Sequence, residues 1–389
     1  PSVTAGGNIE IAAASREELF GLTVAAGLAG NTEPAGAGSL VVQVLDTATR
    51  AWAGRDDDAQ TPSAGSASLA AGGSVAISAD RATLNEAYAG AAGISLKNNG
   101  YGAAVTVTVD HDETAAFVGS DAAVVAKGAK AINVGDGVYD ADGNQGVQAV
   151  NGFALSAASF EDQFLLAIGA GGGTGDVGVG LSVVVGVSKG RTEATLGEGA
   201  TINADNAGAD PAQDVLVRAI DQGDAQLVAG GVAISGGSAL GGAVTVFIAE
   251  NSVQAVAQGD NTLNAADDIS LLADTSGEVN ALAIGVAGSL STGTQSNSQN
   301  NTNNQSSKST KFDGAGSASG ITVFNVTDAA VEAGGSVTAG GDLRVEAQDA
   351  TSLTADAGAA ALGISTGQGS GSGGSLIAVG ISIAVNAVD

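Results

Sequence analysis

Four closely spaced candidate oxygen ligands stand in the stretch GDGVYDADGNQG: Asp136, Asp140, Asp142 and Asn144. Carboxylate and amide oxygens at this density, beside glycines that permit tight turns, suit a hard divalent cation such as Ca²⁺. The spacing matches neither the EF-hand loop nor the glycine-rich calcium nonapeptide. These four residues are the candidate metal ligands, and no cofactor other than calcium is expected. A second acidic run, Asp56, Asp57 and Asp58 in RDDDAQ, is placed by the sequence on the same edge.

Other chemistry is thinly represented. The sole histidine, His111, sits in VDHDETAAF between Asp110 and Asp112. A catalytic triad would need a positioned serine and oxyanion donors, and no nucleophile-elbow phrase is present. Carboxylates flanking a histidine can ligate a metal, but the sequence position suggests a solvated turn closing a strand. Gly172–Gly178, GGTGDVG, contains GxGxxG, yet the residues after it, VGVGLSVVVGVS, have strand periodicity where a dinucleotide site requires a helix. No catalytic residue is assigned, and the chain is not expected to be an enzyme.

Composition narrows the class. The chain has 389 residues, 44% hydrophobic but only 3% aromatic, with 61 glycines. Its apolar content is therefore mostly Ala, Val, Ile and Leu, which makes a thin core without the large rings that anchor most globular enzymes. It is nevertheless too apolar for a disordered polymer. Cysteine is absent, so disulfides and thiolate metal sites are excluded. Methionine is absent too and residue 1 is Pro, which suggests a fragment of a longer protein. A net charge of −28 disfavours nucleic acid and anionic membranes and favours divalent cations.

The dominant signal is repetition. SVTAGG occurs at Ser2 and again at Ser336, each time followed by an apolar-x-apolar-x-Ala phrase. That phrase occurs six times: Ile9-Ile11-Ala13, Val75-Ile77-Ala79, Phe153-Leu155-Ala157, Val215-Val217-Ala219, Ile269-Leu271-Ala273 and Leu343-Val345-Ala347. Period-two alternation is a strand signal. Each copy leads into an Ala/Gly-rich strand, then a Val-rich strand such as GAAVTVTVD, then a short fourth strand. Insertions are expected at two phases: between the second and third strands, as in the polar segment Thr294–Thr310, and between the short fourth strand and the next first strand, as in the Asp-rich joints. A capping-box pattern at Ser15 and Glu18 in SREELFGL suggests one helix. Leu227–Ala249 is free of charge for 23 residues, long enough for a membrane helix, but its glycines and alternation point to two buried strands. Trp52, the single tryptophan, is read as a partly buried ring at a strand end.

Strands that are apolar on both faces must be covered on both sides, and repeats that cannot bury an apolar face alone must stack. The expected fold is all-β: a parallel β-solenoid (β-helix) of about six irregular repeats with loop insertions on two edges. The alternative is a string of tandem antiparallel β-sandwich modules. The array is expected to be continuous over 1-389, with units near 2-64, 65-150, 151-213, 214-266, 267-335 and 336-389. Whether a repeat makes one coil or two is left open by the sequence.

The wording SVTAGGDLRVEAQDATSLTADAGAAALG, followed by GGSLIAVGISIAVN, resembles the repeats of giant secreted bacterial proteins of the fusobacterial leukotoxin type and of haemagglutinin-like adhesins. The resemblance implies export, an extracellular or cell-surface location, and a role in attachment or host-cell damage. It brings no catalytic residues. The expected function is a structural or adhesive segment, a stalk, filament or cell-surface adhesin. The alternatives are a leukotoxin-like membrane-damaging toxin and a polysaccharide-active β-helix enzyme. Expected partners are other copies of the chain, neighbouring repeats, or a cell-surface glycan or host cell, with no nucleic acid and no membrane insertion.

Overall fold

The computed structural model describes residues 1–30, 33–54, 67–175, 177–292, 311–366 and 376–388. The chain winds through six rungs. The first consists of β1 (Ser2–Ala5), β2 (Ile9–Ala29) and β3 (Ala35–Ala53), and the second of β4 (Ser68–Ala71), β5 (Val75–Ser95) and β6 (Gly100–Val118). The third holds β7 (Ala123–Ala126), an inserted hairpin of β8 (Ile132–Tyr139) and β9 (Gln145–Val150), then β10 (Gly152–Gly173) and β11 (Val177–Leu196). The fourth is β12 (Thr201–Ile202), β13 (Asp214–Ser235) and β14 (Ser238–Ala257). The fifth is β15 (Thr262–Ala265), β16 (Ile269–Thr292) and β17 (Lys311–Val331), and the sixth β18 (Ser336–Ala339), β19 (Leu343–Thr366) and β20 (Leu376–Val388).

Equivalent strands pair in parallel into three six-stranded sheets: a short base sheet and two long sheets that face each other. The fold is a parallel β-solenoid, and each repeat makes one coil. At about 4.8 Å per rung, the first and sixth rungs lie about 24 Å apart.

The apolar-x-apolar-x-Ala phrases stack in register. Val75, Phe153 and Val215 pair along one column, and Ile77, Leu155 and Val217 along the next. Against them the base sheet sets Leu69, Val124, Ile202 and Leu263, so the coil is widest and oiliest here. Each fully buried aliphatic side chain in such a column contributes about 1.5–3 kcal/mol, and no rung secures that burial without its neighbours.

At the opposite end the long sheets lie backbone to backbone. A Cβ on Gly169 would overlap the carbonyl oxygen of Leu181, and one on Gly231 would overlap that of Gly242. The cross-section is therefore a wedge, filled by Val, Ile, Leu and Phe at its base and closed by glycine at its tip.

Several sequence expectations are corrected. What reads as a first and a second strand is one continuous strand of 21 to 24 residues, because an Ala/Gly run facing a second Ala/Gly run continues the sheet. Ser15–Glu18 is part of β2 rather than a helix. Ser15 shares a hydrogen bond with Thr49 across the coil (2.6 Å), and pairing with β5 along the whole strand outweighs the local capping pattern. The Asp-rich joints fall at two places in chain order, not one. Residues 133–146 and 203–213 follow the short strand of their rungs, whereas RDDDAQ precedes β4. Asp56, Asp57 and Asp58 lie outside the described residues, as does the 294–310 insert. Leu227–Ala249 runs along β13 and β14 around the tip, as two strands. No helix of the described residues is long and apolar enough to cross a membrane. Trp52 is half exposed and stacks on Phe117 of the next rung (centroids 5.9 Å, planes 4° apart). In the GxGxxG stretch β10 ends at Gly173 and β11 begins at Val177, so a strand follows it rather than a helix.

Candidate functional site

The hairpin β8–β9 carries the predicted calcium ligands and lies against the outer face of the second sheet. Ile132, Val134 and Val150 pack on Ala76, Ala154 and Leu216. Tyr139 stacks on Phe160 (5.2 Å) and donates its hydroxyl hydrogen to Asp80. Arg218 donates to the carbonyls of Gly135 and Asp136. The loop's polar groups largely bind one another. The Asp140 carboxylate accepts from the amides of Asp142 (3.0 Å) and Asn144 (2.8 Å) and from the Asn144 side chain. Those bonds hold its pKa below the ordinary carboxylate value. Asp136 accepts from the amide of Val138 (2.9 Å), and the Asp142 carbonyl accepts from Arg16 (2.7 Å). Asp140 and Asn144 are thus brought together. Asp136 and Asp142 do not join them in a convergent cluster of acidic oxygens.

Among the described residues, the acidic side chains that do converge are Asp110, Asp112 and Glu161, each with one oxygen within 4.8 Å of the others. Their environment corrects the solvated-turn expectation for DHD. Residues 110–112 lie within β6, and strand alternation turns Asp110 and Asp112 into the coil while His111 faces solvent. Asp110 has no exposed surface and Asp112 is 3% exposed. The facing sheet contributes Arg81, 1% exposed, which pairs with Asp112, stands 3.6 Å from Asp110 and lies 4.0 Å from Glu17. Thr47 donates to Asp112 (2.7 Å), Ser188 donates to Glu161 (2.8 Å), and Arg81 also reaches Ser159 (3.3 Å). Asp221, one rung on, is buried beside them. A polar band therefore crosses the middle of an otherwise apolar interior.

Charge is unbalanced there. Glu17, Asp110, Asp112 and Asp221 share the guanidinium of Arg81, with Glu161 beside them. Burial raises the Asp110 pKa, and Glu161 and Asp112 raise it further. Burial also raises that of Asp112, although Arg81 opposes the shift. Asp221 is pushed up to about 7, first by burial and then by the charge of Glu161, against the pull of Arg81. A raised carboxylate pKa means that the folded state holds protons the unfolded chain has released. The stability these groups lend is full below the unfolded value, near pH 4, and is lost as pH rises through each raised value, about 7 for Asp221. In metal-free buffer the thermal midpoint is expected to fall between pH 5 and 7.5, and Asp221→Asn to flatten that fall. A midpoint that holds level or climbs would contradict it.

A second feature covers both outer faces of the wedge near the tip. In the first rung, Phe20, Leu22, Val24 and Leu28 of β2 and Leu40, Val42 and Val44 of β3 are all more than half exposed. Ile168, Leu181, Ile234, Leu240, Val244 and Ile284 continue the band through the middle rungs. Phe20, Tyr88 and Phe164 form an aromatic ladder along one margin (5.7 and 5.6 Å). A charged belt bounds the band on the base side, with Asp46, His111, Lys189 and Glu250 in register on the third sheet. Lys189 pairs with Glu250 at 2.6 Å. Neither surface has a recognised counterpart. Comparison with protein-family models, with curated proteins and with solved structures finds no match to this chain.

The buried acids were partly legible in the sequence. Thr106, Thr108, Asp110, Asp112 and Thr114 alternate with outward residues, and this parity continues the strand through the charged stretch. Arg81 and Glu161 lie on other strands, and only the register between sheets brings them to the same place.

Proposed function

We propose that this chain is a structural and adhesive segment of a large extracellular bacterial repeat protein, forming a stalk, filament or cell-surface adhesin. The observation that carries this reading is the contiguous apolar band on both outer faces. Exposed apolar patches of this extent mark contact surfaces, and two flat sheet faces of small and β-branched side chains fit a second copy at ordinary sheet-packing distance.

The band also favours a second reading. From Gly36 to Val44 it runs nine residues without charge, about 30 Å at about 3.3 Å per residue, which is the thickness of a bilayer's hydrocarbon core. That dimension fits a membrane-damaging role of the leukotoxin type. A net charge of −28 opposes approach to anionic membranes, so lateral packing against protein is the favoured role. Sedimentation and negative-stain electron microscopy of the full chain test it. Concentration-dependent stacks or fibres are expected, and Leu181→Lys with Leu240→Lys, on the exposed face, should disperse them. Compact single-chain particles at every concentration would overturn the proposal, and leakage of dye-loaded liposomes would favour the membrane role.

A further inference from the structure

We propose that Asp110, Asp112 and Glu161 bind a divalent cation of the calcium class inside the coil, between the two long sheets. Three acidic side chains alone would not make a site, but several buried oxygens on the inner face here make no hydrogen bond. Asp110 is fully buried, neither of its oxygens makes a hydrogen bond although Arg81 stands 3.6 Å away, and one of them converges with an oxygen each of Asp112 and Glu161. Thr108 and Thr114, on the same face of β6, also keep buried hydroxyls without partners. Buried charges are paired or coordinate metals, and one guanidinium pairs only part of this set.

Space and donor chemistry agree. Oxygens within 4.8 Å of one another are no farther apart than two ligands on opposite sides of one ion at about 2.4 Å, the calcium–oxygen distance. A Cβ on Gly223, the neighbour of Glu161 in the next rung, would meet nothing within 4 Å. A cavity of about 30 Å³ opens beside Glu161, Ser188, Asp221 and Asn251, enough for a water to complete the coordination. Every donor is a hard oxygen, which suits calcium and excludes the softer metals. A divalent charge would offset the carboxylates that Arg81 leaves unbalanced.

The test uses the full chain, stripped with a chelator and then titrated with calcium chloride at pH 7.5. Calorimetry should show one binding event at the site, and millimolar calcium should raise the thermal midpoint by about 4 °C. Asp110→Asn should abolish both responses. That variant removes a buried charge with little change of shape, so it should fold without metal, and its strand circular dichroism should match the parent's. Asp140→Asn, in the outer hairpin, should keep both responses. Absence of any calcium response in the parent overturns the proposal and leaves protons to neutralise the cluster. A response that survives Asp110→Asn but is lost in Asp140→Asn overturns it equally, by moving the ion to the hairpin.

Discussion

Replacing Gly231 with valine is expected to abolish the cooperative thermal transition at the parent's midpoint, destabilising the fold by at least about 3 kcal/mol, the upper end of overpacking effects. Gly231 lies on the inner face of β13, where even a single Cβ would overlap the carbonyl oxygen of Gly242 on the facing sheet. The obstacle is backbone, so no side-chain rotation relieves it. Gly169 and Gly285 occupy the same column in the rungs on either side. A local separation of the sheets would therefore spread along the axis and loosen burial of Ala229 and Leu227. Gly230→Ala is the matched control. Its Cβ points outward and meets only the Ile168 side chain at 3.7 Å, so a change within about 0.5 kcal/mol is expected. Strand circular dichroism through a thermal melt checks both. Equal effects at the two positions would mean that the tip is not closed by backbone contact.

That contrast shows how far the sequence carries. Alternation in phrases such as VTVTVD discloses parallel stacked strands, and the six apolar-x-apolar-x-Ala phrases disclose the rungs, because both properties reside in one strand at a time. The tip was harder to read. A glycine at 231 is required and one at 230 is optional, and only the parity of β13 against β14 separates them. At Ser15–Glu18, a helix cap is a statement about four consecutive residues, whereas the strand there is imposed by pairing with β5 along its whole length. The hairpin ligands illustrate the same division. Acidic density in GDGVYDADGNQG is visible, but whether those oxygens face a cation or their own backbone depends on how the turn closes. At Asp140 it closes on the carboxylate itself.

The interior acids link the two levels. Polar residues on an inner face would ordinarily break a solenoid's core. Here they occupy the middle of the wedge, between the aliphatic base and the glycine tip, where the sheets are too far apart for glycine and alanine to meet. Long, charged side chains span that gap, and Arg81 reaches both long sheets from β5.

Arg81→Met is accordingly expected to be the most damaging substitution outside the tip. Methionine keeps much of the volume but removes the one positive charge facing Asp110, Asp112 and Glu17. Removing one partner of a buried ion pair leaves its counter-charge uncompensated and costs about 3–5 kcal/mol, whereas neutralising both partners costs far less. In metal-free buffer at pH 7.5, denaturant midpoints should show that full loss in Arg81→Met. The loss should be clearly smaller in the double variant with Asp112→Asn, giving a coupling of about 1–3 kcal/mol. At pH 5 the single variant should recover much of its stability, because burial raises the pKa of both Asp110 and Asp112 and the folded state then carries their protons. If Arg81 acted only as packing, the loss would be the same at both pH values and in the double variant, and the band's charges would have no part in holding the sheets together.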